Sequence, residues 1–302
     1  MQEIFIGEYI RHHRQDKGLS QEKLCEGICE PMTLSRLENG SQTPSFSCVN
    51  ALLQRLGLPD DRFTALLSQN ELEIVRLRKE LVAAISHHNT GKGWETVREL
   101  DRIAKKDDQV VRQVILRAKA VLGREDKIRS PEETLAMLEE ALRITSPHFD
   151  PEEISRGRYC AEEIKIINSI SDIYSEIGER KKAADILSQL LRYIQKQNQD
   201  IPQLLSMVAY NYAIDLTLLK RYEEAIETAE LCWQSCVERN HYQFLPGSVH
   251  IIAECRYFLG ELEESARLYT RAYYLYRAID EKSDLEILTK EAKEHLGLLF
   301  KN

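Results

Sequence analysis

Seven cysteines and a pair of adjacent histidines are the residues of this chain best suited to metal or covalent chemistry. Cys25-x3-Cys29 and Cys232-x3-Cys236 can each set two thiols on one helical face, and His12-His13 precede the first pair. A zinc site needs a second pair of ligands at matching spacing, and none follows. Cysteine is also a good small core residue, so the pairs read as core, and neither a metal nor a cofactor is expected. The phosphate-cradling G-x-x-x-x-G-K-[ST], the nucleophile elbow G-x-S-x-G, the zincin H-E-x-x-H and the redox C-x-x-C are all missing from the sequence. Tyr269, Tyr273, Tyr274 and Tyr276 read as packing and lining residues of helical repeats rather than a cofactor box. The chain is expected to recognise partners, not to be an enzyme.

The bulk composition narrows the setting. With 302 residues, 43% hydrophobic and 30% charged, the chain can build more than one core. It has no apolar run near the ~18 residues of a membrane span. The N-terminus lacks the basic start, apolar middle and cleavage site of a signal peptide. An odd number of cysteines does not read as a disulfide framework, which points to a reducing cytoplasm. A net charge of -8 argues against a protein that coats nucleic acid over its whole surface, but leaves room for a local DNA-reading patch.

Gly and Pro are sparse, and apolar residues recur at three and four throughout, so the fold class is all-α. Near the N-terminus the pattern gives a first helix over residues 6–17, stopped by Gly18. Ser20 caps a second helix over 21–28. Pro31 opens a third over 31–38, because its missing N–H would be unpaired in the first turn anyway, and Asn39-Gly40 closes it. A fourth helix over about 45–56 and a short fifth after Leu58 complete a five-helix domain. Two short helices joined by a tight turn, held together by Leu34 and Leu37, have helix-turn-helix geometry.

The remainder repeats. Gly178, Lys220 and Gly260 occupy equivalent turns at intervals of 42 and 40 residues, each followed by a small residue (Ala183, Ala225, Ser265) that lets a second helix pack closely. Gly91 to Trp94 and Arg129 to Glu132 fit the same template less well. Five helix pairs result, and a sixth leading helix from Asp284 to Phe300 caps the stack. The expected boundaries are 1–67 for the first domain, 68–72 for a linker and 73–302 for the repeats.

The stretch Arg14-Gln-Asp-Lys-Gly18-Leu19-Ser20-Gln21-Glu-Lys-Leu24 with Thr33-Leu34-Ser35-Arg36-Leu37-Glu38-Asn39-Gly40 resembles the phage-repressor (Cro, or XRE) class of DNA-binding domains. The repeats resemble tetratricopeptide units lengthened beyond their usual 34 residues. The two together resemble the RRNPP family of peptide-pheromone receptors over nearly the whole chain. The resemblance implies a transcriptional regulator that binds double-stranded DNA and a short signalling peptide, as in quorum sensing.

By that likeness Arg14 and Gln21 hold backbone phosphates, while Thr33, Ser35 and Arg36 lie in the major groove. Asn39, Ser41, Gln42 and Thr43 form the loop beside the next phosphates. Pro31, Met32 and Glu30 depart from the family pattern, since none of them donates to a base edge. The first 67 residues hold 7 Lys+Arg and 9 Asp+Glu, a net of -2, so a homodimer reading two half-sites is expected. The peptide would lie along the leading helices of the pairs. Inward positions include Lys165, Asn168, Asp172 and Glu176 in the third pair, Met207, Tyr210, Asn211 and Ile214 in the fourth, and His250, Glu254 and Tyr257 in the fifth. Asn168 and Asn211, each with Asp at i+4, can pair with a peptide backbone because an amide both donates and accepts. The alternative is a repeat protein that binds a signalling protein, its DNA binding weak or vestigial; the acidic first domain and Pro31 favour it.

Overall fold

The computed structural model describes residues 6–58, 68–197 and 202–300, and every regular element among them is helical. The short fifth helix expected after Leu58 lies outside the described residues. The chain divides into two compact units, residues 1–173 with 197–200, and residues 174–196 with 201–302.

The first unit begins with α1 (Ile6–Asp16), α2 (Gln21–Cys25), α3 (Pro31–Glu38) and α4 (Phe46–Arg55). Ser20 caps α2 by accepting from Lys23 N, and Ser45 caps α4 by accepting from Cys48 N. Helix α2 stops three residues short of the expected Ile28, because Gly27 turns the chain at φ 69°. Ile10, Leu24, Leu34, Leu37, Leu52, Leu53 and Leu56 fill the core of these four helices. Cys25 and Cys48 join that core, as the packing reading of cysteine expects. Helix α1 crosses α3 so closely that a Cβ on Gly7 would lie 1.8 Å from Leu37 O.

Helices α5 (Gln69–Ser86), α6 (Thr90–Ile103), α7 (Gln109–Glu125) and α8 (Pro131–Thr145) form the first two pairs, and α9 (Ala161–Glu176) follows. Two sequence expectations need correction here. Residues 68–72 are no loose linker. Ser68 and Glu71 form a reciprocal capping box, and α5 starts at Gln69. The first inter-helix turn falls at residues 87–89, ahead of the expected Gly91, because Asn89 caps α6 by accepting from Lys92 N. Gly93 is then inside α6, where a Cβ would stand 2.7 Å from Leu122 Cδ2; the glycine serves helix packing instead of the turn. Ser130 and Pro131 open α8 as expected, with Glu133 completing a second capping box.

The four N-terminal helices are fastened to α8 and α9 by a buried polar joint. Arg55 is 3% exposed and donates to Leu24 O, Glu26 O, Thr145 O and Glu163 Oε1. Glu163, fully buried, also accepts from Thr145 Oγ1, Ser146 Oγ and Cys160 N. Burial alone would raise the Glu163 carboxyl, but Arg55 and the two hydroxyls hold it below the ordinary range. A Cβ on Gly27 would meet Thr145 Cα at 2.5 Å, so the helix-turn-helix turn rests directly on the end of α8.

The second unit holds α10 (Arg180–Gln197), α11 (Pro202–Leu218), α12 (Tyr222–Glu238), α13 (Leu245–Phe258), α14 (Leu262–Ala278) and α15 (Lys282–Leu296). The turn residues Gly178, Lys220 and Gly260 all have positive φ, at 91°, 61° and 84°. Ala183, Ala225 and Ser265 are fully buried behind them, as close helix packing requires. Tyr269, Tyr273 and Tyr276 pack in the core, but Tyr274 is 64% exposed, on the outer face of α14.

Candidate DNA-reading face and ligand-facing helices

Helix α3 presents a polar outer surface because its apolar residues Leu34 and Leu37 point the other way, into the core. Arg36, Asn39, Ser41, Gln42 and Thr43 are exposed, with Thr33 and Ser35 half-buried beside them. Arg36 Nη1 donates to Gln42 Oε1 at 3.5 Å, and Ser41 Oγ to Arg36 O at 3.1 Å. These weak contacts order the loop while leaving the Arg36 guanidinium in solvent. Met32 is 64% exposed at the start of the helix.

Arg14 and Gln21, expected beside backbone phosphates, both engage a carboxylate within the domain itself. Arg14 donates through Nε and Nη2 to Glu38 at 2.6 and 2.9 Å, and through Nη1 to Leu19 O. Gln21 Nε2 donates to the same carboxylate at 2.7 Å. Glu38 is 3% exposed, and this buried carboxylate holds Arg14 inside the domain while Gln21 stays half-buried beside it. Their geometry is that of a staple joining α1, α2 and α3. A carboxylate at the last position of the recognition helix was the sequence feature that could have revealed it.

Among the leading helices, α11 carries Met207, Tyr210, Asn211 and Ile214 as a half-buried stripe. Gly247 on α13 makes room for Tyr210, since a Cβ there would lie 2.5 Å from its ring. Burial raises the Tyr210 hydroxyl, and Asp284 adds to it. On α13, His250 Nε2 meets Glu291 Oε2 at 2.7 Å, and Tyr257 stacks on His295 with ring centres 4.2 Å apart. Burial raises the Glu254 carboxyl, Glu291 raises it further, and His250 partly opposes this. Glu291 and His295 of α15 therefore belong with His250, Glu254 and Tyr257. Extending the repeat register to the sixth leading helix would have found them.

On α9, Lys165 is partly open and Asn168 is 4% exposed, with its Nδ2 donating to Asp172 Oδ2 at 3.2 Å. Glu176 is the last residue of the helix. Asp215, one turn beyond Asn211, is buried and accepts from Ser175 Oγ.

A helix-turn-helix domain with a polar reading face, followed by tetratricopeptide-like helix pairs, is the class this architecture defines. Residues 6–66 match the helix-turn-helix domain family and residues 152–297 the RNPP family C-terminal domain. The C-terminal part of the chain, residues 152–297, is thus an RNPP family C-terminal domain. Among solved structures it is similar to Bacillus thuringiensis PlcR in complex with the peptide PapR7 and DNA, at 22% identity, over 94% of this chain and 98% of that one, with a TM-score of 0.62. The apo form of the competence regulator ComR from Streptococcus vestibularis aligns over 96% of this chain and 98% of its own, at 14% identity and a TM-score of 0.51. The apo form of RapI aligns over 74% and 77%, at 12% identity and 0.53. These three likenesses concern the fold. No curated protein sequence matches the chain. Among the described residues, no helix is long and apolar enough to cross a membrane.

Proposed function

We propose that this protein is a cytoplasmic, peptide-responsive transcriptional regulator. The observation that carries the reading is the joint presence, on one chain, of a helix-turn-helix domain and the RNPP C-terminal domain. The exposed polar face of α3 supports it, and so does a PlcR likeness that spans nearly the full length of both chains and was seen with peptide and DNA bound.

In this reading Thr33, Ser35 and Arg36 meet base edges, and Asn39, Ser41, Gln42 and Thr43 meet phosphates. Arg14 and Gln21 shape that surface from inside through Glu38. In the second unit a peptide lies against α11 and α13, with Asn211 pairing to its backbone, and Asn168 on α9 offers an amide of the same kind. Met207, Tyr210 and Ile214 give it apolar contact, and His250, Glu254 and Tyr257 give it polar contact. Asp172 positions Asn168.

The test is a gel shift with the DNA upstream of the chain's own gene, with and without short peptides encoded beside it. Retardation that a peptide changes, together with a ten- to hundredfold loss of peptide affinity in Asn211→Ala, is the expected result. A loss of that size corresponds to ~1–3 kcal/mol for one unpaired amide. Absence of retardation at low salt, with another protein captured by the repeats, would put the protein-partner reading in its place.

A further inference from the structure

Among the described residues of α1 to α4, Met32 is the only large apolar side chain that stands mostly in solvent, at 64% exposed, in the first turn of α3. Leu34 and Leu37 of the same helix are buried. A side chain so exposed adds little to the stability of the fold. Its apolar surface is favourably removed from water when a partner covers it.

The neighbours of Met32 restrict what that partner can be. Glu30, just before the helix, is an exposed carboxylate that makes no capping hydrogen bond, and its charge repels phosphate oxygens. Pro31 is exposed as well and has no N–H to offer them. The tip of α3 is therefore a poor phosphate contact and an apolar one. Met32 lies three residues before Ser35 and four before Arg36, so it shares their face of the helix. When a recognition helix enters the major groove, its N-terminal residues meet base edges. The apolar group that base pairs present there is the C5 methyl of thymine.

We propose that Met32 is a specificity-determining residue that covers a thymine methyl in the major groove. A helix advances about 5.4 Å per turn and successive base pairs about 3.4 Å. The thymine accordingly lies one or two base pairs from the base that Arg36 meets. A thioether on a flexible, unbranched side chain adapts its reach to the methyl. The missing donor at the tip of α3 is then a change in the base that is read, not a loss of DNA binding. The inference deepens the regulator reading and rests on it for the DNA itself.

The DNA upstream of the chain's own gene, amplified once with dTTP and once with dUTP, tests the contact in gel shifts with the full-length protein and excess competitor DNA. Uracil pairs as thymine does but lacks the C5 methyl. The wild-type protein is expected to hold the thymine fragment at least threefold tighter, the scale set by burying one methyl group. Met32→Ala should bind both fragments equally, with its urea midpoint unchanged, and Met32→Leu, which keeps an apolar tip, should retain the preference. If Met32→Ala misfolds, Met32→Gln, of nearly equal length but polar, takes its place with the same expected loss. Equal binding of the two fragments by the wild type overturns the proposal. So does a Met32→Ala protein that keeps the full preference for thymine. In both cases DNA binding itself stands. If neither fragment is retarded at low salt, the DNA reading fails, and the thymine contact fails with it.

Discussion

Glu38 accepts from both Arg14 and Gln21 inside the helix-turn-helix domain, and this divides two arginines with similar sequence credentials into different roles. Arg14 is 9% exposed and spends its donors on Glu38 and Leu19 O. Removing it leaves a buried carboxylate whose charged partner is gone, a change that costs ~3–5 kcal/mol when such a pair is broken from one side. Arg36 stands in solvent, where truncation costs the fold little. Arg14→Met is therefore expected to lower the urea midpoint sharply, and Arg36→Ala to leave it in place. Arg36→Ala should instead weaken specific DNA binding by ~1–3 kcal/mol, the worth of one bidentate contact. Parallel denaturation and gel-shift titrations check both halves. A stable Arg14→Met protein, or an Arg36→Ala protein with wild-type affinity, counts against the division.

At the scale of elements, the turns between helix pairs have one geometry and unequal residues. Lys220 adopts φ 61° where Gly178 and Gly260 stand in the equivalent turns. A residue with a Cβ is strained in that left-handed region by ~1–2 kcal/mol, while glycine adds freedom to the unfolded chain. Lys220→Gly should therefore stabilise the protein by a net of up to ~1 kcal/mol. A fall in the melting temperature would show that the lysine has a contact worth more than its strain.

The α7–α9 contact, in which Arg117 Nε donates to Glu162 Oε1 at 2.6 Å, also predicts a pH dependence. The Glu162 carboxyl is lower in the folded protein, at about 2, than its ordinary value of 4.5. Its contribution is fully present above about 4.5 and is lost as pH falls through about 2. In urea titrations across that window, Glu162→Gln should flatten the decline in stability, and an unchanged slope would mean that the pair does not stabilise the fold.

These turns and pairs also mark how far the sequence could be read. Periodicity located the helix pairs and the equivalent turns at Gly178, Lys220 and Gly260, because a helix buries one stripe and a left-handed turn favours glycine. It misplaced the first turn, since Gly93 is there to admit Leu122, and a glycine needed for packing looks like a glycine needed for a bend. It could not see that Arg14 faces inward or that Arg55 meets Glu163, 108 residues away. Such pairings are decided by which helices meet in space, and neither residue carries a local mark of its partner.

For the whole molecule, charge sets the terms of DNA binding. The chain carries -8 overall. In the helix-turn-helix domain Arg14 and Arg55 are consumed by Glu38 and Glu163, which leaves few cations to displace counterions from phosphates. The electrostatic, sequence-independent part of binding grows with the number of phosphates neutralised, so a single domain should hold DNA weakly. Two domains on one duplex add their base contacts, and a linked second site is bound at a high effective concentration. A homodimer is therefore expected, at twice the 35.0 kDa chain mass, with its half-sites separated by a whole number of helical turns. Inserting about 5 base pairs between the half-sites places them on opposite faces of the duplex and should abolish tight binding, while inserting about 10 should restore part of it. Light scattering reads the mass directly, and gel shifts with the spaced operators read the geometry. A monomer at tens of micromolar with DNA present, or an affinity indifferent to the spacing, would mean that one acidic domain suffices and that contacts beyond α3 supply the missing attraction.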